Sequence, residues 1–382
     1  MMTYLDHDQD DLVAHGASHT AREISQQPRL WREITTTLVK SAADWQPWLS
    51  DLLATPNLRV VMTGAGTSAF AGKTLAPVLR ERTGLRIDPV ATTDIVGDPQ
   101  AWLDPRLPTL LVSFARSGNS PESVAAVELA DQLLPDCRHL ILTCNPDGAL
   151  ARYAAGNPRV RCVLMPDGAN DQSFAMTSSF TSMFVAAAVM LGAVPLTEAA
   201  ARIESVAALC EAKLAVWPKQ ARELAAGRFE RVVYLGSNGL AGLAEEASLK
   251  LLELTAGKIA TRFDSTLGVR HGPKFMIDAR TCVLVFMSAT PYTRRYDDDL
   301  YAELVGNGIA PQVIALGTKD GDTLQVELPD ADDLWLALPY LLFAQLFAFE
   351  ASLAAGLTPD NPCPTGEVNR VVQGVTIYPY PN

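Results

Sequence analysis

A chain of 382 residues, 48% apolar and 19% charged, is long enough for two domains with sizeable cores and has the composition of a folded globular protein. A net charge of -12 with no basic block or stripe argues against a nucleic-acid partner, because nothing is present to displace counterions from a phosphate backbone. An anionic ligand would have to be held by local dipoles and a few cations. The six cysteines, Cys137, Cys144, Cys162, Cys210, Cys282 and Cys363, form no C-x-x-C pair and no metal-ligand spacing, so they read as reduced cytosolic thiols and imply no structural zinc.

The first residues, Thr3 to Asp11, are acidic and lack the positive start and apolar stretch of a signal peptide, which predicts a cytoplasmic protein. Residues 1–50 read as a helical lead-in, amphipathic through Leu30, Trp31, Ile34, Leu38, Trp45 and Leu49. His7, His15 and His19 fall in its polar opening and are expected to be solvated and mobile.

From residue 51 to 196 the pattern is that of an α/β domain. Strands are expected at Arg59 to Thr63, Ile87 to Val90, Thr109 to Phe114, His139 to Thr143 and Val160 to Met165, with helices at Ala69 to Thr83 and Ser120 to Leu134. Helices interleaved with short apolar strands predict a parallel sheet covered on both faces. A long helix from Gln172 to Leu191 closes this domain. Residues 197–228 read as a helical connector.

A second round occupies residues 229–382. Arg231-Val232-Val233-Tyr234-Leu235-Gly236 echoes Arg59-Val60-Val61-Met62-Thr63-Gly64 at an offset of 172 residues. Strands at Cys282 to Met287 and Gln312 to Leu316, with a helix near Asp298 to Gly306, extend the same plan. Two fused α/β domains facing each other are expected. Leu334 to Leu357 alone has the length of a membrane span, but Pro339, Gln345 and Glu350 interrupt it, so it reads as a helix buried between domains or subunits. That helix and the small-residue helices predict a homodimer or larger homo-oligomer, since such faces need cover.

The stretch Leu111-Val112-Ser113-Phe114-Ala115-Arg116-Ser117-Gly118-Asn119-Ser120-Pro121-Glu122-Ser123 is a strand, a hydroxyl-rich turn and a helix start. The first N–H groups of a helix have no intrahelical partner and carry the positive end of its dipole, so this turn suits a phosphate monoester. Ser117, Ser120 and Ser123 would add donors and Gly118 would let the backbone approach. Simple capping by Ser120 or Ser123 explains the loop equally well by itself. The second copy has Met287-Ser288-Ala289-Thr290-Pro291 in its place, so only the first keeps the anion chemistry.

The other turn, Gly64-Ala65-Gly66-Thr67-Ser68, lacks the third glycine of a dinucleotide fingerprint, and Asp88 is poorly placed as a ribose partner. It reads instead as a neighbour of the serine loop, with Thr67 and Ser68 beside the same sugar phosphate. In the second domain, Glu246, Lys250 and Glu253 share one face of a helix that is apolar nearly all round. A carboxylate partly buried there would hold its proton more tightly and could exchange a carbon-bound proton; a solvated surface ion pair is the simpler explanation of the same spacing. His271 lies in Gly268-Val269-Arg270-His271-Gly272-Pro273-Lys274, where imidazole chemistry near neutrality would suit opening a hemiacetal, whereas His139 opens an apolar strand and reads as structural.

With these features in order, the chain resembles two-domain sugar isomerase (SIS) proteins. From about residue 20 onward it is similar to the isomerase half of glucosamine-6-phosphate synthase. It is most similar to the bacterial galactosamine-6-phosphate deaminase/isomerase family, also called tagatose-6-phosphate ketose/aldose isomerases. The serine loop carries that resemblance, with Asn170-Asp171-Gln172-Ser173-Phe174-Ala175-Met176-Thr177-Ser178, Asn361-Pro362-Cys363-Pro364 and Val368-Asn369-Arg370-Val371-Val372-Gln373-Gly374.

The resemblance implies a flavodoxin-like, three-layer fold in each domain, a hexosamine phosphate as substrate, and neither cofactor nor metal. Ser68, Arg116, Ser117 and Ser120 would hold the phosphate, and Thr67, Phe174 and Met176 would line the sugar site. Glu253 would move a proton between C1 and C2 with Lys250 in support, and His271 would open the ring. Gln373 stands where the synthase relatives carry a lysine, and it cannot donate a charged N–H. The synthase's glutaminase half is absent, which points the expected reaction toward ammonia release, from galactosamine 6-phosphate to tagatose 6-phosphate. A simple aldose/ketose isomerase and a non-catalytic sugar-phosphate sensor are the alternatives.

Overall fold

The computed structural model describes residues 3–372 and 374–381, so Gln373 lies outside the described residues. The chain divides into two compact units. The first comprises Arg29–Asn170, Ser178–Ile203 and the stretch from Val368 on; the second comprises the residues up to Pro28, Asp171–Thr177 and Glu204–Glu367.

The lead-in is ordered by its polar groups rather than left in solvent. A two-stranded hairpin, β1 (Thr3–Tyr4) and β2 (His7–Asp8), precedes α1 (Gln9–Ala14), α2 (Ser18–Ser25), α3 (Gln27–Lys40) and α4 (Ala42–Leu53). Thr20, Ala21, Glu23 and Ile24 of α2 are buried. His15 is exposed, as expected, with its ring donating to the Asp11 carbonyl of its own turn, whereas His7 and His19 are half-buried: the His7 ring sits 2.8 Å from the Glu350 carboxylate, and the backbone N–H of His19 donates to Asp360. Polar residues on a helix reach the interior when fixed partners replace their water.

The first sheet is built from β3 (Arg59–Thr63), β4 (Arg86–Pro89), β5 (Thr109–Ala115), β6 (Cys137–Thr143) and β7 (Val160–Leu164). Its order is β4-β3-β5-β6-β7 and every pairing is parallel. All residues of β3 and β5 are buried, as expected for central strands covered on both faces. Between the strands run α5 (Thr67–Thr83), the short helices α6 (Thr92–Gly97) and α7 (Pro99–Trp102), α8 (Pro121–Leu133) and α9 (Ala149–Ala154).

Helix α10 spans Ser178–Met190, shorter than the expected Gln172 to Leu191. Residues 172–177 stay non-helical because buried carboxylates capture their N–H groups: Glu23 accepts from Gln172 and Ser173, and Asp171 from Thr177. All thirteen residues of α10 are buried.

After α11 (Leu196–Leu214) and α12 (Trp217–Ala225), the second sheet forms from β8 (Arg231–Gly236), β9 (Ala260–Asp264), β10 (Thr281–Phe286), β11 (Gln312–Gly317) and β12 (Leu324–Gln325). Its order, β12-β11-β10-β8-β9, repeats that of the first and is again parallel. Helix α13 (Gly239–Leu254) follows β8 as α5 follows β3, and α14 (Pro291–Asn307) follows β10 as α8 follows β5.

The long apolar helix α15 (Asp333–Ala354) has the length and composition of a membrane span, yet 94% of its most apolar window is buried in the fold. It packs on α13, α12 and α2, all of the second unit. It is therefore a core helix of that unit, and its apolar face gives no reason to require a partner subunit. Each fully buried Leu or Phe along it contributes roughly 1.5–3 kcal/mol.

Candidate active site

In each sheet the chain leaves the first strand for one neighbour and then returns to its other side. The order thus reverses between β3 and β5, and the turns at their carboxyl ends flank the crevice where ligands bind in open α/β sheets. The turn after β3 is tight: a Cβ on Gly64 would lie 2.6 Å from the Ser68 backbone, and Gly66 has φ +53°. Thr67 and Ser68 therefore begin α5, each only 5% exposed. Asp88, the poor candidate for a ribose partner, accepts from Arg59 Nε at 2.6 Å. Its carboxyl is held below the usual range by Arg59 and Arg86 against the cost of partial burial.

The turn after β5 is braced from outside. Cys144 N–H and the Thr143 hydroxyl donate to the Arg116 carbonyl, Asn145 Nδ2 donates to the Ser117 carbonyl at 2.9 Å, and Leu150 N–H donates to the Gly118 carbonyl at 3.1 Å. Asn119 Oδ1 accepts from Ala149 N–H at 2.8 Å. Gly118 takes φ +63°, which glycine adopts without strain. With its carbonyls drawn toward β6 and α9, the loop has a fixed shape.

Ser120 is the N-cap of α8: its Oγ accepts from Ser123 N–H and donates to Ser123 Oγ at 2.6 Å. The capping interaction and an anion site use the same helix end, so they do not exclude each other. Arg116 is buried, and its Nη2 donates to the Arg370 carbonyl at 3.0 Å.

The corresponding turn of the second copy is occupied from within the chain. The 172-residue offset that aligns β3 with β8 also aligns Thr109 with Thr281 and Phe114 with Phe286, so Ser288 and Ala289 stand where Arg116 and Ser117 stand in the first. Their N–H groups already have anions: Ser288 N–H donates to Asp297 at 2.8 Å, and Ala289 N–H donates to Asp333 at 2.7 Å. The Ser288 hydroxyl donates to Asp333 as well, and Ser237 and Thr266 donate to Asp297. Burial raises the Asp333 carboxyl above its ordinary range. The chain's own carboxylates fill this turn.

Helix α13 carries the other group of candidates. Lys250 is fully buried, with Nζ 2.5 Å from Glu253 Oε2 and 3.6 Å from Glu246 Oε1. Glu246 is also fully buried, whereas the Glu253 side chain keeps 22% exposure. The run is thus a partly buried charge cluster with one carboxylate open to a ligand, not a solvated surface ladder. Burying such charges costs several kcal/mol per ion unless they are paired, which ties Lys250 to its carboxylates.

His271 is exposed, at the end of the 3-10 turn Gly268–Arg270. Its flanks are pinned to α14: Arg270 and Lys274 both pair with Glu303, and Arg270 also reaches Asp299. The strand-opening His139 is fully buried beside Asp131, and desolvation lowers its pKa, as befits a structural residue. Among the described residues, no group of three or more His, Cys, Asp or Glu side chains is arranged to hold a metal ion.

Thr67, Ser68, Arg116, Ser117 and Ser120 thus belong to the first unit, on turns that end neighbouring strands. Lys250, Glu253, His271, Phe174 and Met176 belong to the second, where Lys250 and Glu253 touch. Sequence reasoning missed Glu23 and Asp360, which tie down the segment bearing Phe174. The signal for Glu23 was its place beside Ile24 on the buried face of α2, with Thr20 and Ala21.

Two parallel sheets, each with a reversed strand order, and a braced hydroxyl-rich turn beside a helix end define a sugar-isomerase-type α/β protein; the SIS domain model matches residues 52–193. Over nearly its whole length the chain also has named relatives. It is 44% identical to D-galactosamine-6-phosphate deaminase AgaS of Shewanella sp., an alignment covering 97% of this chain and 94% of the relative. It is 45% identical to the protein of the same name from Escherichia coli, covering 94% and 96%. The crystal structure of tagatose-6-phosphate ketose/aldose isomerase from Escherichia coli superimposes with a TM-score of 0.87 at 42% identity, covering 95% of this chain and 96% of that one. The chain belongs to the AgaS family of SIS-domain proteins.

Proposed function

We propose that this protein deaminates galactosamine 6-phosphate to tagatose 6-phosphate and ammonia. The observation that carries the reading is the Lys250–Glu253 pair: a partly exposed carboxylate held by a buried ammonium, in a chain whose relatives bear the deaminase name. The phosphate sits on the Arg116–Ser120 loop with Ser68, where helix N-termini and hydroxyls supply donors, and Thr67, Phe174 and Met176 line the sugar. His271 moves the proton that opens the pyranose. Glu253 then takes the C2 proton of the open aldose, giving an enolamine, and returns a proton to C1. The product is a ketimine at C2; water adds to it and ammonia leaves, so the net change is an internal proton shift followed by hydrolysis of a C–N bond.

Acid–base groups suffice for this route, without metal or cofactor. The six free thiols fit a cytoplasmic site of action. Phe275, 96% exposed just after His271, offers an apolar anchor for a homo-oligomer contact. A second reading, simple aldose/ketose isomerisation of a related hexose phosphate, is favoured by the name of the similar Escherichia coli crystal structure.

Ammonia release from galactosamine 6-phosphate, assayed beside glucosamine 6-phosphate and tagatose 6-phosphate, separates the two. The deaminase reading expects ammonia from the galacto substrate and a loss of about 100-fold to 10,000-fold in kcat for Glu253→Gln. Isomerisation without ammonia from any amino sugar supports the second reading, and unchanged turnover in Glu253→Gln sinks both.

A further inference from the structure

Two buried carboxylates and one backbone carbonyl tie down the seven residues Asp171–Thr177, all within the second unit. Glu23 is 1% exposed. Its Oε1 accepts Gln172 N–H at 2.6 Å, and its Oε2 accepts Ser173 N–H at 3.2 Å and the Ser173 hydroxyl. Asp171, fully buried, accepts Thr177 N–H at 2.9 Å and lies close enough to Glu23 to repel it. Phe174 N–H donates to the Asp360 carbonyl at 3.0 Å. The Asp360 carboxylate in turn accepts N–H groups of His19 and Thr20, in the first turn of the helix that carries Glu23.

We infer that Glu23 is a positioning residue whose carboxylate holds the segment bearing Phe174 and Met176 in the shape that presents them to the sugar. The inference rests on the function proposed above, which gives those two side chains their role. Burying two carboxylates this deeply is costly unless they are hydrogen-bonded or paired, and here several of those bonds go to backbone N–H groups of a segment that is neither helix nor strand. The arrangement makes sense where a loop must be held rigidly without a helix or strand to define it.

The groups facing Glu23 include Asp171, the Ser173 hydroxyl, the Gln172 and Ser173 N–H groups and, at 3.9 Å, the Arg22 guanidinium, itself bonded to the His19 ring. Desolvation, with repulsion from Asp171, pushes the Glu23 carboxyl up to about 7. The three hydrogen bonds from Gln172 and Ser173 favour the charged carboxylate, so protonation as pH falls through neutrality weakens them and loosens the segment locally, even though burial and Asp171 favour the protonated form in the fold as a whole.

Hydrogen exchange and kinetics on the full chain test this together. In Glu23→Gln, and in the wild type on going from pH 8 to pH 6 after correction for intrinsic rates, the Gln172 and Ser173 amides should exchange about tenfold faster or more. Glu23→Asp, which keeps the charge, should lie between. For ammonia release from galactosamine 6-phosphate, kcat/KM should fall about tenfold or more in Glu23→Gln. The wild-type profile should show an acid limb near pH 7 that the Gln variant lacks. Unchanged exchange in both the variant and the wild-type pH series overturns the clamp, whatever the activity. Faster exchange with wild-type kcat/KM and pH profile overturns its link to the sugar. An inactive wild type, or an active Glu253→Gln, counts instead against the parent reading, while exchange still decides the clamp.

Discussion

At the scale of single residues, the second unit spends stability on charges in its interior. Lys250 and Glu246 are fully buried, and Glu23 and Asp171 nearly so or entirely. Glu23 couples this burial to pH. Its carboxyl titrates near 4.5 in an unfolded chain and near 7 in the fold, so between those values the native state holds a proton that the unfolded state has released. Stability from this group is fully present below about 4.5 and falls as pH rises toward 7. Activity governed by the same carboxylate moves the other way. Urea unfolding at pH 5 and pH 7.5 should show the wild type losing on the order of 1–3 kcal/mol relative to Glu23→Gln across that interval. A constant difference between the two proteins would mean that Glu23 does not titrate there.

At the scale of elements, the duplicated strand–turn–helix shows how closely backbone shape survives a change of residue. Gly66 precedes α5 with φ +53° and ψ -128°, and Asn238 precedes α13 with φ +51° and ψ -123°. Glycine adopts that conformation freely, whereas asparagine is strained in it. Asn238→Gly should therefore stabilise the chain by about 1 kcal/mol, and Gly66→Asn should destabilise it by a similar amount, as thermal melts would show. A Cβ at Gly66 meets nothing within 4 Å, so the cost there is backbone strain and not a clash. A fall in stability for Asn238→Gly would show that its side chain, rather than the turn, decides that position.

At the scale of the whole chain, the two copies share a strand order but not a use. Asp297 and Asp333 occupy the turn whose first-copy counterpart is proposed above to seat the phosphate, so on that proposal each chain should take up one phosphate ester. Calorimetric titration with a hexitol 6-phosphate should give one site per chain. Two equivalent sites would contradict the internal carboxylates as occupants of the second turn.

Much of this was legible in the residues themselves. The alternation of short apolar strands with helices, the echo between Arg59 and Arg231, and the serine loop after β5 are local patterns, and local patterns survive translation into structure because backbone geometry enforces them. The helix expected from Gln172 and the solvated placement of His7 and His19 failed for the opposite reason, and the partners of the buried Leu334 to Leu357 helix could not be read at all. Each depended on what a distant stretch would bring: Glu23 and Asp171 withholding N–H groups from a helix, Glu350 meeting His7, Asp360 capping α2, and α12 and α13 covering α15. Periodicity tells a segment which of its faces is apolar. Only the folded chain decides which group arrives to meet it, since a hydrogen bond or a buried contact depends on separation in space and not along the sequence.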